Sequence, residues 1–149
     1  MTTTQDLMAI ERNFWTQGPK FYRDNVDDEC LLAFPQMASV MSNSAVAATV
    51  KDDERWHDVE IEPKGLVEPT SSLAIITYEA SATAHDGKPY KALVSSGYVK
   101  RQGSWKMAFH QQRRFRRSNS YTRSIASDTP CPTPTHMVAS ARLPPCLII

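Results

Sequence analysis

Seven side chains invite a reading as proton carriers: Asp24, Asp27, His57, Asp58, Tyr78, Tyr98 and His110. General acid–base chemistry needs such a group within hydrogen-bond reach of a substrate, its pKa moved by burial or by neighbours. None of the seven sits in a short motif that fixes a mechanism. His110 and Asp58 are the candidates for a catalytic role. Each also has an ordinary structural reading: His110 as a satisfied histidine on a strand, and Asp58 as part of an exposed face shared with Trp56, Glu60 and Glu62. His57 and Asp58 are neighbours on a strand, so period-two alternation sends them to opposite faces and they do not form a pair. Asp27-Asp28-Glu29 reads as a solvated acidic turn.

Other chemistries find little support. The chain has four His and three Cys (Cys30, Cys131, Cys146), with no His-x-His or Cys-x-x-Cys spacing, so no metal site is expected. No glycine-rich phosphate loop appears among only five Gly, and no cofactor is expected. No Ser-His-Asp or Cys-His arrangement is legible. Cys30 reads as a small buried apolar residue.

A ligand pocket is the better-supported reading. Its expected lining is Trp15, Tyr22, Trp56, Tyr78, Tyr98, Trp105 and Phe109, with Gln111 as a polar group at the mouth. Aromatic residues at regular spacing are more often core than ligand box, but an apolar pocket with few polar groups suits a small hydrophobic molecule. Strict alternation puts Gln111 with Trp105, Met107 and Phe109, and His110 with Lys106 and Ala108. Only one of His110 and Gln111 then points inward.

The elements that must position these groups follow from periodicity. Leu7, Ile10, Phe14 and Phe21 form an amphipathic stripe, predicting a helix over 4–17 capped by Thr4 and ended by Gly18-Pro19. A short helix over about 20–26 and a strand over Cys30–Phe34 follow. Ser42-Asn43-Ser44 caps a third helix running to about Asp53. Trp56–Glu62 alternates as a strand, and Leu66-Val67-Glu68 belongs to the next strand or its lead-in. Strands are then expected over 73–84, 90–101 and 104–112, joined by turns at Asp86-Gly87 and Gln102-Gly103. Gly97 inside a strand signals a bulge or bend. Helices followed by an antiparallel meander make an α+β fold.

Several local words carry a resemblance: Glu11-Arg-Asn-Phe-Trp15, Met41-Ser-Asn-Ser-Ala-Val-Ala-Ala48, and Tyr90–Tyr98 followed by Gly103-Ser-Trp-Lys-Met-Ala-Phe-His-Gln-Gln112. With the element order, they make residues 5–112 resemble the NTF2-like superfamily, most closely its DUF4440/SnoaL-like branch. The resemblance implies a cone in which three N-terminal helices pack on a strongly curved antiparallel sheet. It implies a pocket between them and, commonly, a homodimer. Both strand faces are partly apolar and one helix layer covers only one of them, which also points to a homodimer through the sheet face.

The domain is expected over 1–112 and a tail over 113–149. Residues 1–112 carry 11 Lys+Arg and 15 Asp+Glu, a net of −4; residues 113–149 carry six Arg and one Asp, a net of +5. The tail opens with Arg113-Arg-Phe-Arg-Arg117 where such domains usually end, then turns rich in Pro, Ser and Thr and reads as disordered. An altered reading frame after Gln112 is one origin for so abrupt a change. Nucleic-acid binding is not expected, because the domain body is acidic. No membrane span or secretory leader is visible, and a cytoplasmic setting is the default. The favoured function is small-molecule binding without catalysis. The alternative is a cofactor-independent enzyme of the SnoaL or steroid-isomerase kind. A dimerisation module is the third reading.

Overall fold

The computed structural model describes residues 2–51 and 55–115. Its first helix, α1 (Thr3–Thr16), begins where the Thr2 hydroxyl accepts from the Gln5 amide and the Gln5 side-chain oxygen accepts from the Thr2 amide. This capping box satisfies two otherwise orphaned donors and places the cap two residues before the expected Thr4. The buried face of α1 is Leu7, Glu11, Phe14 and Trp15. Pro19, with its preset φ, opens α2 (Pro19–Asn25). Ser42 caps α3 (Asn43–Thr49) by accepting from the Ala45 amide.

Six strands follow the chain: β1 (Val26–Phe34), β2 (Met37–Ser42), β3 (Trp56–Thr70), β4 (Leu73–Ala84), β5 (Pro89–Arg101) and β6 (Ser104–Arg114). They form one sheet in the order β2-β1-β6-β5-β4-β3. Only the β1–β6 pair is parallel. The result is an α+β cone with three helices on the inner face of a curved, mainly antiparallel sheet. The inner face of β4 is Ala74, Ile76, Tyr78, Ala80 and Ala82, all buried, as the alternation predicts. Gly87, Gln102 and Gly103 adopt positive φ at the two hairpin turns. A primed turn needs that conformation to match the twist of its strands.

Two departures from strict alternation matter. On β6 the partners of Gly97 and Tyr98 are Phe109 and Met107, so Ala108 is an extra residue and the strand bulges there. Trp105 and Met107 point inward before the bulge, while His110 and Gln112 point inward after it. Gly97 lies opposite this bulge. A Cβ at Gly97 would stand 3.2 Å from Cβ of Phe109, so the glycine lets that side chain lie flat on the outer face. On β3 the register slips between His57 and Glu60, with Asp58 at φ 50°. Trp56, Val59 and Ile61 consequently pack together against the inner core.

Several boundaries differ from expectation: α3 ends at Thr49 instead of near Asp53, and β1 begins at Val26, so Asp27-Asp28-Glu29 lies within a strand and not in a turn. The edge strand β2 was not foreseen, because its six residues alternate only between half-buried and exposed. Trp56–Glu62 and Leu66–Glu68 are one long strand bent by a second irregularity near Gly65. β6 continues through Arg113 and Arg114, which pair with Leu93 and Ala92. Residues 116–149, where the remaining expectations for the tail fall, lie outside the described residues.

Candidate functional site

The inner end of the cone is organised by Glu11. Its position on α1, four residues after Leu7 and four before Trp15, puts it in the buried stripe. There it is fully buried. Tyr98 Oη donates to Oε1 at 2.6 Å and Tyr78 Oη donates to Oε2 at 2.7 Å. Tyr78 Oη in turn accepts from Trp15 Nε1 at 3.0 Å. Burial, followed by the Glu11 charge, holds both tyrosines well above the usual phenol range. They are hydroxyl donors across the physiological range. A carboxyl group taken out of water is costly unless its oxygens are paired, and here both are.

A second polar cluster sits beside it. Arg55 donates to the Phe14 carbonyl (2.6 Å), the Gln17 carbonyl (3.0 Å) and Tyr22 Oη (2.8 Å). Tyr22 donates onward to the Phe14 carbonyl. Burial raises the Tyr22 phenol, and the Arg55 charge partly opposes the rise. These bonds tie the end of α1 to the start of β3.

His110 is buried, with Nδ1 3.0 Å from Ser96 Oγ on the neighbouring strand. Its Nε2 has no hydrogen-bond partner among the described residues. Burial depresses its pKa below 6.5, against the opposing pull of the Glu11 charge and Gln112. The imidazole is thus neutral in the native state at pH 7 and titrates when the chain unfolds. Below pH 6.5 the unfolded chain binds this proton and the native chain does not. Stability therefore rises with pH up to about 6.5, and the His110 contribution is lost as pH falls toward its native pKa. Its limiting slope is about 1.4 kcal/mol per pH unit. Urea denaturation between pH 5 and 7.5 checks this: His110→Gln should flatten the curve, and an unchanged slope would refute it.

At the open end of the cone is a cavity of about 430 Å³. Phe34, Pro35, Trp56, Ala84 and Tyr90 supply apolar walls, and Arg55, Gln112 and Arg114 supply polar ones. Trp56 packs on Tyr90 with ring centroids 4.8 Å apart, and on Trp15 at 5.3 Å. Gln112 Nε2 donates to Tyr90 Oη at 2.7 Å, and the Arg114 guanidinium lies 5.2 Å from the Tyr90 centroid. A larger hollow of about 830 Å³ lies among Arg23, Asp27, Asn43, Arg101 and Lys106. It is a charged rather than an aromatic space, and part of its lining is already engaged: Arg101 holds Asp27 through two bonds of 3.1 and 2.8 Å. Lys106 donates to the Asp24 carbonyl. We therefore assign the site to the smaller, aromatic cavity.

Of the expected lining, Trp56 borders this cavity. Trp15 supports Trp56 from behind. Tyr78 and Tyr98 lie deeper, on Glu11. Tyr22 and Trp105 are in the core, with Lys100 4.7 Å over the Trp105 ring. Phe109 and Gln111 require correction: the Ala108 bulge reverses their phase, so Phe109 lies on the outer face and Gln111 is exposed. His110 takes the inward position. Asp58 is also corrected: it is exposed at the β3 bulge, away from the cone interior. Glu11, Arg55, Tyr90 and Gln112 were missed. For Glu11 a signal existed, since a carboxylate at the i+4 position of an apolar helical stripe has no ordinary reason to be there.

No family model matches the chain, and no curated protein does. Solved structures do. An NTF2-like protein of unknown function from Prochlorococcus marinus superposes with a TM-score of 0.62 at 17% identity, over 79% of this chain and 97% of that one. A ketosteroid isomerase-like protein from Erwinia carotovora atroseptica gives 0.59 at 19% identity, over 74% and 92%. One from Shewanella oneidensis, described as NTF-2 like and of unknown function, gives 0.58 at 11% identity, over 74% and 98%. At these identities the likeness is one of fold, and the fold is NTF2-like.

Proposed function

Starting from an NTF2-like cone, we propose that this chain binds a small hydrophobic molecule in the cavity bordered by Trp56, Tyr90 and Phe34. The observation that carries this reading is the cavity itself. About 430 Å³ is within the range of small-molecule sites, and aromatic walls with a few polar groups are their usual lining. The neutral dye N-phenyl-1-naphthylamine should bind with micromolar affinity and brighten. Trp56→Ala should weaken it tenfold or more by removing one wall. A wild-type protein that leaves the dye dark to 100 micromolar, on the order expected for a non-binder, would sink the reading.

The alternative within the same proposal is a cofactor-independent SnoaL or steroid-isomerase-like acid–base enzyme. The buried Glu11, gripped by Tyr78 and Tyr98, favours it: a carboxylate between two hydroxyl donors is a proton-handling arrangement. Binding without catalysis remains the stronger reading, because both carboxylate oxygens are already engaged and Glu11 is closed off from solvent.

The proposed partner is a second copy of the chain. On the outer face, register aligns Val67, Ile75, Gly97, Phe109, Leu31 and Val40 as one row across all six strands. Val40 and Val67 are 61% and 57% exposed, so the row is an apolar band open to solvent. Bands of this kind mark interaction surfaces. Lys64, Glu79 and Lys91 form an ion-paired border on β3, β4 and β5. Among the described residues no helix is long and apolar enough to cross a membrane. The proposed setting is the cytoplasm. Cys30 is a free buried thiol pushed up to about 12 chiefly by burial.

A further inference from the structure

The larger hollow lies at the opposite end of the strands from the aromatic cavity. The end of α2, the start of β1, the residues around the α3 cap and the β5–β6 turn enclose it. Four cationic side chains line it, Arg23, Lys100, Arg101 and Lys106, against two carboxylates, Asp27 and Asp28. Arg101 and Asp27 neutralise each other. Among the described residues none of the other three cations has an ion pair. Lys106 bonds a neutral carbonyl, that of Asp24, and Lys100 lies 4.7 Å from the Trp105 ring centroid. Neither contact cancels a charge, so Asp28 alone stands against the three. By contrast, Lys20, Lys64, Lys88 and Lys91 each sit on a carboxylate. Residues 1–112 carry a net of −4, so this local positive excess runs against the charge of the body. A concave surface lined by one sign of charge focuses the field and concentrates ions of the other sign.

From these charges we infer a second binding site, for a small phosphorylated polyol, with its phosphate taken by Arg23, Lys100 and Lys106 and its hydroxyls by Asp28 and Gln102. A phosphomonoester carries close to two negative charges at neutral pH, which matches the excess of cations over carboxylates in the lining. Its three terminal oxygens give one acceptor to each of the three cations. Bonds from guanidinium and ammonium groups to phosphate are short and charge-assisted. The rest of the ligand is polar because the lining is: Val26 is its one apolar side chain among the described residues. Asp28 and Gln102 make no side-chain hydrogen bond there, which leaves an acceptor and an amide open to hydroxyl groups. A hollow of about 830 Å³ holds such a molecule with some of its water.

Four probes test the site: glucose 6-phosphate, inorganic phosphate, succinate and glucose, titrated by calorimetry into the full-length protein at about pH 7.5, where the ester is doubly charged, and at low salt. Glucose 6-phosphate should bind with a dissociation constant on the order of 0.1 mM. Inorganic phosphate, lacking the hydroxyls, and succinate, with its two charges apart, should each bind about tenfold more weakly. Glucose should not bind measurably. Arg23 and Lys100 are exposed, so Arg23→Gln and Lys100→Gln leave the fold intact, and each should weaken the ester about fivefold. Arg12→Gln removes the same charge from α1, outside the hollow, and should change nothing. Binding that both hollow variants leave unmoved would place the anion elsewhere, on the Arg113-Arg-Phe-Arg-Arg117 run, and overturn the site. Free phosphate as tight as the ester would overturn the polyol, and succinate as tight would overturn the phosphate. No binding of glucose 6-phosphate up to about 10 mM would overturn the whole inference and leave the aromatic cavity untouched.

Discussion

Replacing Glu11 by alanine should lower the unfolding free energy by about 3–5 kcal/mol. The loss has two parts. Tyr78 and Tyr98 would each keep a buried hydroxyl with no acceptor, and a void would open where the side chain lay. For a domain of this size the melting temperature should fall by roughly 15 °C or more. Glu11→Gln should cost less, about 1–2 kcal/mol. It keeps the shape and one carbonyl acceptor, and only one hydroxyl must find a new arrangement. Substituting the whole cluster, Glu11→Leu with Tyr78→Phe and Tyr98→Phe, should recover much of the loss, since no polar group is then left unanswered. Urea denaturation of this series measures the coupling directly. A Glu11→Ala protein within 1 kcal/mol of wild type, on the order of an ordinary surface change, would show that the cluster does not hold the cone together. The same series bears on catalysis. If Glu11 is structural, the Glu11→Gln protein still binds the neutral dye as wild type does.

Ile75→Glu should convert the proposed dimer into a monomer. Ile75 is second from the β3 end of the outer row, between Val67 and Gly97 and two strands from Phe109. In a two-fold pairing of these faces, the apolar row of one copy lies against that of the other, and Ile75 is covered by its partner. A glutamate there would take an unpaired charge out of water against an apolar surface, a cost of several kcal/mol. The dissociation constant should rise a hundredfold or more, about 3 kcal/mol. Ile75 is 39% exposed in the single chain, so the monomer itself should melt within a few degrees of the wild type at equal concentration of folded subunit. Sedimentation velocity on both proteins decides it. A wild type that sediments as a monomer throughout the micromolar range would reject the dimer and leave the apolar row without an explanation.

The chain's local pattern was enough for most of the scaffold. The stripe from Leu7 to Phe14 forms α1, Ser42 caps α3, and the Asp86-Gly87 and Gln102-Gly103 turns set the last three strands as a meander. These are short-range effects: helical period, strand period, and turns that need positive φ. The same pattern placed Ala74 through Ala82 on the buried face of β4. Local pattern could also say that only one of His110 and Gln111 points inward. It could not say which, because one extra residue at Ala108 reverses every side chain after it. That bulge exists only in the pairing of β6 with β5. The role of Glu11 is likewise non-local: its partners are 67 and 87 residues away, and its burial makes sense only once Tyr78 and Tyr98 arrive beside it. The cavity gathers the ends of β1, β3, β4, β5 and β6. Spacing along the chain therefore determined the cone, while the pairing of distant strands decided which side chains face its interior.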